Sequence, residues 1–168
     1  KKPSLRDMML ANTDFVGSMA TKFAPIVNTT LSLAPVKTVM DGVLKIDKHR
    51  TFPKYSSKTF ESWFKKEEMD KQDGFKNHIS FFHGCYINYN FPQLGKDLVH
   101  LFNAFGYGVH LLEKEKCCGV ALISNGLIDQ AKKQAQLNVD NVRKSVQQGR
   151  RVVGASSTCI FTMRDEYP

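Results

Sequence analysis

No run of about twenty apolar residues occurs in this 168-residue chain, so it holds no single-span membrane helix. No charged n-region, apolar h-region and small-residue cleavage site follow one another, so no secretory leader is read. Dense Lys/Arg runs are missing as well. The net charge is +8, yet residues 1–78 carry 14 basic and 9 acidic side chains and residues 79–168 carry 10 and 7. An excess spread so evenly is compatible with a nucleic acid, an anionic membrane surface or an acidic protein. With no nucleic-acid motif in the chain, no nucleic-acid partner is expected. Cysteines number only four, too few for the disulfide scaffold of a small secreted domain, and a reducing, cytoplasmic setting follows. There is no C-x-x-C knuckle of the common zinc type. There is also no G-x-G-x-x-G after the first apolar run, where His83–Asn90 reads HGCYINYN, and this argues against a dinucleotide site. The chain does not begin with methionine and stops directly after its last cysteine loop, so a piece of a longer protein is expected.

What is present falls into three stretches. Hydrophobic residues make up 42% of the chain, enough for a core. Residues 1–50 predict an amphipathic helical segment. A first helix starts at Ser4, with Asp7 in its acidic first turn and Leu5, Met8, Met9, Phe15, Val16 and Met19 on one face around a polar Asn12. A second runs from near Pro35 to Lys45. The face suits packing on the following domain. It also suits an in-plane membrane or partner-docking role, with Lys22, Lys37, Lys45, Lys48, His49 and Arg50 toward acidic headgroups. Residues 51–77 read as a linker with one short helix around 57–71, anchored by Phe60, Trp63 and Phe64.

From residue 78 the pattern becomes regular. Strands are predicted at 79–83, 108–112 and 151–155, and helices at 93–105 and about 126–148, with 84–92 as a loop. Strands alternating with helical runs predict an α/β fold with a three-layer, Rossmann-like parallel sheet and right-handed crossovers over 78–168. The cysteines then sort themselves. Cys85 follows the first strand, Cys117 and Cys118 the second, and Cys159 the third. All four lie beyond carboxyl ends of strands, the edge where open α/β sheets build their sites.

Adjacent Cys117 and Cys118 are poor disulfide partners, because a trans peptide holds their Cα atoms about 3.8 Å apart, closer than a disulfide prefers. Gly119 after them permits a positive φ or a close backbone approach. Four soft thiolates from three loops suit an iron–sulfur cluster or zinc. Cysteine as apolar filler, or Cys117 and Cys118 as a thiol–disulfide redox pair, are the alternatives. Near them, His83 is a candidate proton carrier or a satisfied strand-end histidine. Lys114 and Lys116 are candidates for lowering the thiol pKa values.

The spacing of Cys85, 31 residues, Cys117-Cys118-Gly119, 39 residues and Cys159 resembles the cysteine-rich CCG motif family, to which the B subunits of heterodisulfide reductases belong. The words FFHGCYINYNFPQLGKDL, KEKCCGVALISNG and SSTCIFTMRDEYP, with DFVGSMATKFAPIVNT and LKIDKHRTFPKYS upstream, resemble the C subunits of bacterial anaerobic glycerol-3-phosphate dehydrogenases. That resemblance implies an iron–sulfur, electron-transfer and membrane-anchoring subunit, peripheral on the cytoplasmic face of the inner membrane. It would take electrons from the flavin-bearing A and B subunits toward menaquinone. It implies Cys85, Cys117, Cys118 and Cys159 as cofactor and metal ligands, no catalytic residue for the alcohol oxidation in this chain, a ferredoxin-like part before residue 1 and a second CCG motif after residue 168. The full motif ends in C-x-x-C, whereas Thr162 stands at the fifth sulfur position here. Four sulfurs leave an ordinary [4Fe–4S] cubane, a modified cluster or zinc open.

Overall fold

The computed structural model describes residues 4–167, with Leu5 described in its backbone only. Strands β1 (Asn77–Phe82), β2 (Tyr107–Leu111) and β3 (Arg151–Gly154) form a parallel sheet in the order β2-β1-β3. The central strand is the most apolar, and Ile79, Ser80, Phe81 and Phe82 are all buried. Phe81 pairs with Leu111 and Phe82 with Gly154, so all three strands end together.

Helix α7 (Pro92–Ala104) links β1 to β2, and α9 (Ile128–Gln147) links β2 to β3. Since β2 and β3 flank β1 on opposite sides, right-handed crossovers place these helices on opposite faces. Alternation along β1 serves both. Ile79 and Phe81 face the core with Val99, while the hydroxyl of Ser80 donates to Ser145 of α9 at 2.9 Å.

The first face is completed by the stretch before β1. Helix α5 (Phe60–Trp63) continues through a π turn (Phe64–Glu68) and a 3-10 turn (Met69–Gly74), an element that starts and ends three residues later than the helix expected around 57–71 and is less regular. Phe60, Trp63 and Phe64 are buried in the core, with Phe60 edge-on to Phe81 at 5.8 Å between centroids. Gly95 of α7 makes room for them, because a Cβ there would lie 2.5 Å from the Phe60 ring. Gly95→Ala is therefore expected to destabilise the chain by about 1–3 kcal/mol through overpacking, read as a lower urea midpoint with an unchanged slope.

Two boundaries differ from the sequence reading. The predicted loop after β1 is helical, α6 (Gly84–Tyr89), entered through Gly84 at φ 72. A short helix that the sequence reading did not assign, α8 (Val120–Ser124), precedes the predicted one at about 126–148, which is α9. Gly126 ends the first rather than starting the second. Leu127 N–H donates to Leu122 O and Gly126 N–H to Ile123 O, both at 2.9 Å, with Gly126 left-handed at φ 74. That is the Schellman ending, which needs glycine at this position.

The amino-terminal segment is four short helices: α1 (Leu5–Ala11), α2 (Thr13–Lys22), α3 (Ala24–Ser32) and α4 (Ala34–Leu44). Ser4 caps α1, with Asp7 closing a capping box. The inward face is not the predicted stripe. Ala11, Gly17, Ala20, Thr21 and Ala24 are buried, whereas Met8, Met9, Phe15 and Met19 are exposed and Leu5's side chain lies outside the described residues. Close packing selects the small residues: a Cβ on Gly17 would sit 2.4 Å from the Tyr89 ring of α6. Helix α4 buries none of its residues.

Candidate metal centre

The parallel sheet delivers the three cysteine loops to one edge, and there the four thiols meet. Cys85 lies in the first turn of α6. Cys117 and Cys118 lie in the loop before α8, and Cys159 lies in helix α10 (Ser157–Phe161), capped by Ser156. Phe82, Leu112 and the sulfurs of Cys117, Cys118 and Cys159 form one buried cluster, with Cys85 packed against it. Cys85 Sγ is 3.7 Å from Cys117 Sγ. Each sulfur also shifts the pKa of the next, Cys117 with Cys118 and Cys118 with Cys159. Gly84 keeps the site open, since a Cβ there would meet Cys159 Sγ at 3.4 Å. Gly119 adopts φ 84, the left-handed value its position suggested, and so turns the two thiols inward before α8 begins.

Five groups outside the cysteines fix these loops. Glu115 is almost fully buried. Its carboxylate accepts from Gly84 N at 2.7 Å and from His83 N at 3.2 Å, tying the second loop to the first. Asn138 of α9, with no exposed surface, brackets the CCG loop. It accepts from Lys116 N and donates to the carbonyls of Lys116 and Cys117. Tyr167 donates its hydroxyl to Cys118 O at 2.9 Å. Asp14, from the first turn of α2, accepts from Cys117 N at 2.7 Å, and Gln134 donates to Cys117 O at 2.7 Å. A cleft of about 520 Å³ lined by Thr13, Asp14, Tyr89, Glu115, Lys116 and Gln134 opens beside them.

Three of the four thiols, Cys85, Cys117 and Cys118, are shifted toward the neutral form. Cys117 is pushed up to about 11, first by its hydrogen bond with Cys118 and then by burial. Cys118 is pulled down by Cys117 but raised more by Cys159 and burial, to about 11. Cys85 is raised by its bond with Cys117 and by burial. Cys159 is lowered, chiefly by Cys118. Lys114 and Lys116, candidates for lowering the thiol pKa values, are exposed, and Cys85, Cys117 and Cys118 are raised all the same. His83 is buried, and burial holds it below the ordinary histidine value. Its Nδ1 lies 3.0 Å from Gly84 O and 3.3 Å from Glu115 Oε1, so the ring faces its own loop and that carboxylate.

The donor set of four thiols fits a soft metal or an iron–sulfur cluster. Among the described residues no three Cys, His, Asp or Glu side chains converge on one point. Cys85 Sγ instead bonds to Cys117 Sγ, with Cys118 and Cys159 in the adjoining buried cluster. Thr162 is buried and its hydroxyl donates to Thr158 O at 2.9 Å, so the fifth motif position offers no ligand.

A parallel α/β sheet that gathers four cysteines, three of them buried, at its carboxyl edge defines a cysteine-rich domain. The chain belongs to the cysteine-rich CCG domain family, whose model matches residues 79–164. It is 54% identical over 168 residues, 99% of its length, to the C subunit of the anaerobic glycerol-3-phosphate dehydrogenase of two Escherichia coli strains. It spans 42% of the length of those relatives. It is 26% identical over 133 residues to the B subunit of the fumarate reductase (CoM/CoB) of Methanothermobacter marburgensis, covering 76% of this chain and 26% of that one. An uncharacterized iron–sulfur protein of Methanococcus maripaludis is 29% identical over 100 residues, 55% of this chain and 18% of its own. No solved structure matches.

Proposed function

We propose that this chain is the iron–sulfur, electron-transfer part of an anaerobic glycerol-3-phosphate dehydrogenase, with Cys85, Cys117, Cys118 and Cys159 as the cluster ligands. The observation that carries the reading is the meeting of four cysteines from three loops in one buried sulfur cluster. When bound, the cluster supplies reversible one-electron transfer. The chain's own residues hold the thiols and exclude water. The flavin-bearing A and B subunits of such an enzyme are the proposed donors and menaquinone the proposed acceptor. Residues 78–168 are read as the first of two cysteine-rich domains, residues 51–77 as the linker to it, and residues 1–50 as the segment that carries it to the cytoplasmic face of the membrane. No helix among the described residues is long and apolar enough to cross a membrane. Exposed Phe15, Ile26, Val39 and Val43 on α2, α3 and α4 support attachment at the interface instead.

A second reading has one observation behind it. The 3.7 Å between Cys85 Sγ and Cys117 Sγ is close to the edge, about 3.8 Å, of a tetrahedron with zinc–sulfur arms of about 2.3 Å. A scaffold holding zinc would carry no electrons. The test is anaerobic mixing of the iron-loaded chain with the flavin-bearing subunits and glycerol 3-phosphate. The electron-transfer reading expects the visible absorbance to bleach only when subunits and substrate are both present. A spectrum that never changes, while the flavin is reduced, contradicts it.

A further inference from the structure

The first residue of α2 has no role in the function proposed for the four cysteines. Thr13 Oγ1 is buried and finds no hydrogen-bond partner of good geometry. Hydroxyls nearby are treated differently. Thr29, Thr30, Ser32 and Thr38 each donate to the carbonyl four residues back, at 2.8 to 3.0 Å. An orphaned buried hydroxyl is rare in folded proteins and costly. Its surroundings name the acceptor, because Thr13 lines the cleft beside the CCG loop with Tyr89, Glu115 and Lys116, and its hydroxyl acts to lower the pKa of Cys85 and Cys117. Its position is held tightly. Asp14, the next residue, accepts from Cys117 N at 2.7 Å, and Gly17 one turn on is pressed against Tyr89.

We propose that Thr13 is a hydrogen-bond donor to the ligand sulfurs of the centre, and that α2 thereby sets its reduction potential. The inference rests on the cluster reading of the four cysteines. Hydrogen bonds to a cluster's sulfurs are among the main determinants of its potential. A donor stabilises the more negative, reduced state more than the oxidised one, so it raises the potential. The segment read from sequence as a membrane attachment is then also part of the redox site.

The test uses the iron-loaded 168-residue chain and redox titration followed by EPR. Thr13→Val keeps the shape and removes the hydroxyl, and Thr13→Ser restores it. Thr21→Val removes the other orphaned buried hydroxyl of α2, about 12 Å further along the helix axis. Thr13→Val is expected to weaken the one-electron reduction equilibrium about tenfold, a fall of about 59 mV, while Thr13→Ser and Thr21→Val stay at the wild-type potential. Loss of iron from Thr13→Val alone would report the same hold on the sulfurs. An unmoved potential in an iron-replete Thr13→Val chain overturns this inference and leaves the cluster reading standing. So does an equal shift in Thr21→Val, or a Thr13→Ser chain that behaves as the valine variant. A wild-type chain without iron overturns both.

Discussion

Cys118→Ala is expected to abolish iron binding and the visible absorbance that goes with it. Cys118 stands inside the buried cluster with Cys117 and Cys159, and it is 2% exposed. Removing an outer-shell partner of a metal ligand costs roughly 10–100-fold in affinity, and removing a ligand from this cluster costs more. The fold survives, because Phe82, Leu112 and Val142 still fill that side of the sheet. Thr162→Val is the contrasting variant. Its hydroxyl is already bonded to Thr158 O, so iron content is expected to stay at the wild-type level. Iron and sulfide assays on the two purified variants, with circular dichroism as the check on folding, make the comparison. Equal iron in both would remove Cys118 from the ligand set.

Glu115→Ala is expected to lower the stability of the metal-free chain by about 2–5 kcal/mol, since two buried amides, Gly84 N–H and His83 N–H, lose their acceptor. Those amides begin α6, which carries Cys85, so iron retention falls with stability. The effect depends on pH, and its sign follows from the shift. Burial raises the Glu115 carboxyl well above its ordinary value, although the amides of Gly84 and His83 pull it down. A raised folded-state value means that the stability Glu115 contributes is complete below the unfolded pKa and is lost as pH rises through the folded one. The loss in Glu115→Ala is therefore larger at about pH 5 than at about pH 8. Urea midpoints of both chains at the two pH values check this. A deficit that grows with pH would mean that the carboxylate is held charged.

Much of this architecture is legible in the sequence because it rests on local patterns. Three apolar runs alternating with helical ones predict the parallel sheet, and a parallel sheet alone puts Cys85, Cys117, Cys118 and Cys159 at one edge. The glycine of the CCG triplet permits the left-handed conformation that Gly119 adopts. The groups that hold the site are harder to read, because each acts across the fold. Glu115 sits in EKEKCC and reads as a solvated charge until β1 and β2 bring it under Gly84. Asn138 reads as a polar gap on the face of α9, and Asp14 reaches Cys117 from 103 residues away. Asn138 gave one signal, a polar residue where the helical period wants an apolar one. The amphipathic stripe of residues 8–19 misleads for a related reason. Docking of α2 onto α6 is a close approach that selects Gly17 and Ala20, which carry little weight in a hydrophobic pattern, and so the bulky residues face outward.

Iron, acid-labile sulfide and zinc content of the anaerobically purified chain, with an EPR spectrum after reduction, bear most directly on whether the four cysteines hold an iron–sulfur cluster. The account predicts iron and sulfide in equal amounts, about four of each per chain for a cubane on four cysteines, with a paramagnetic signal in the reduced state that Cys118→Ala lacks. Zinc at about one per chain with no iron and no EPR signal would contradict it and make this domain a scaffold.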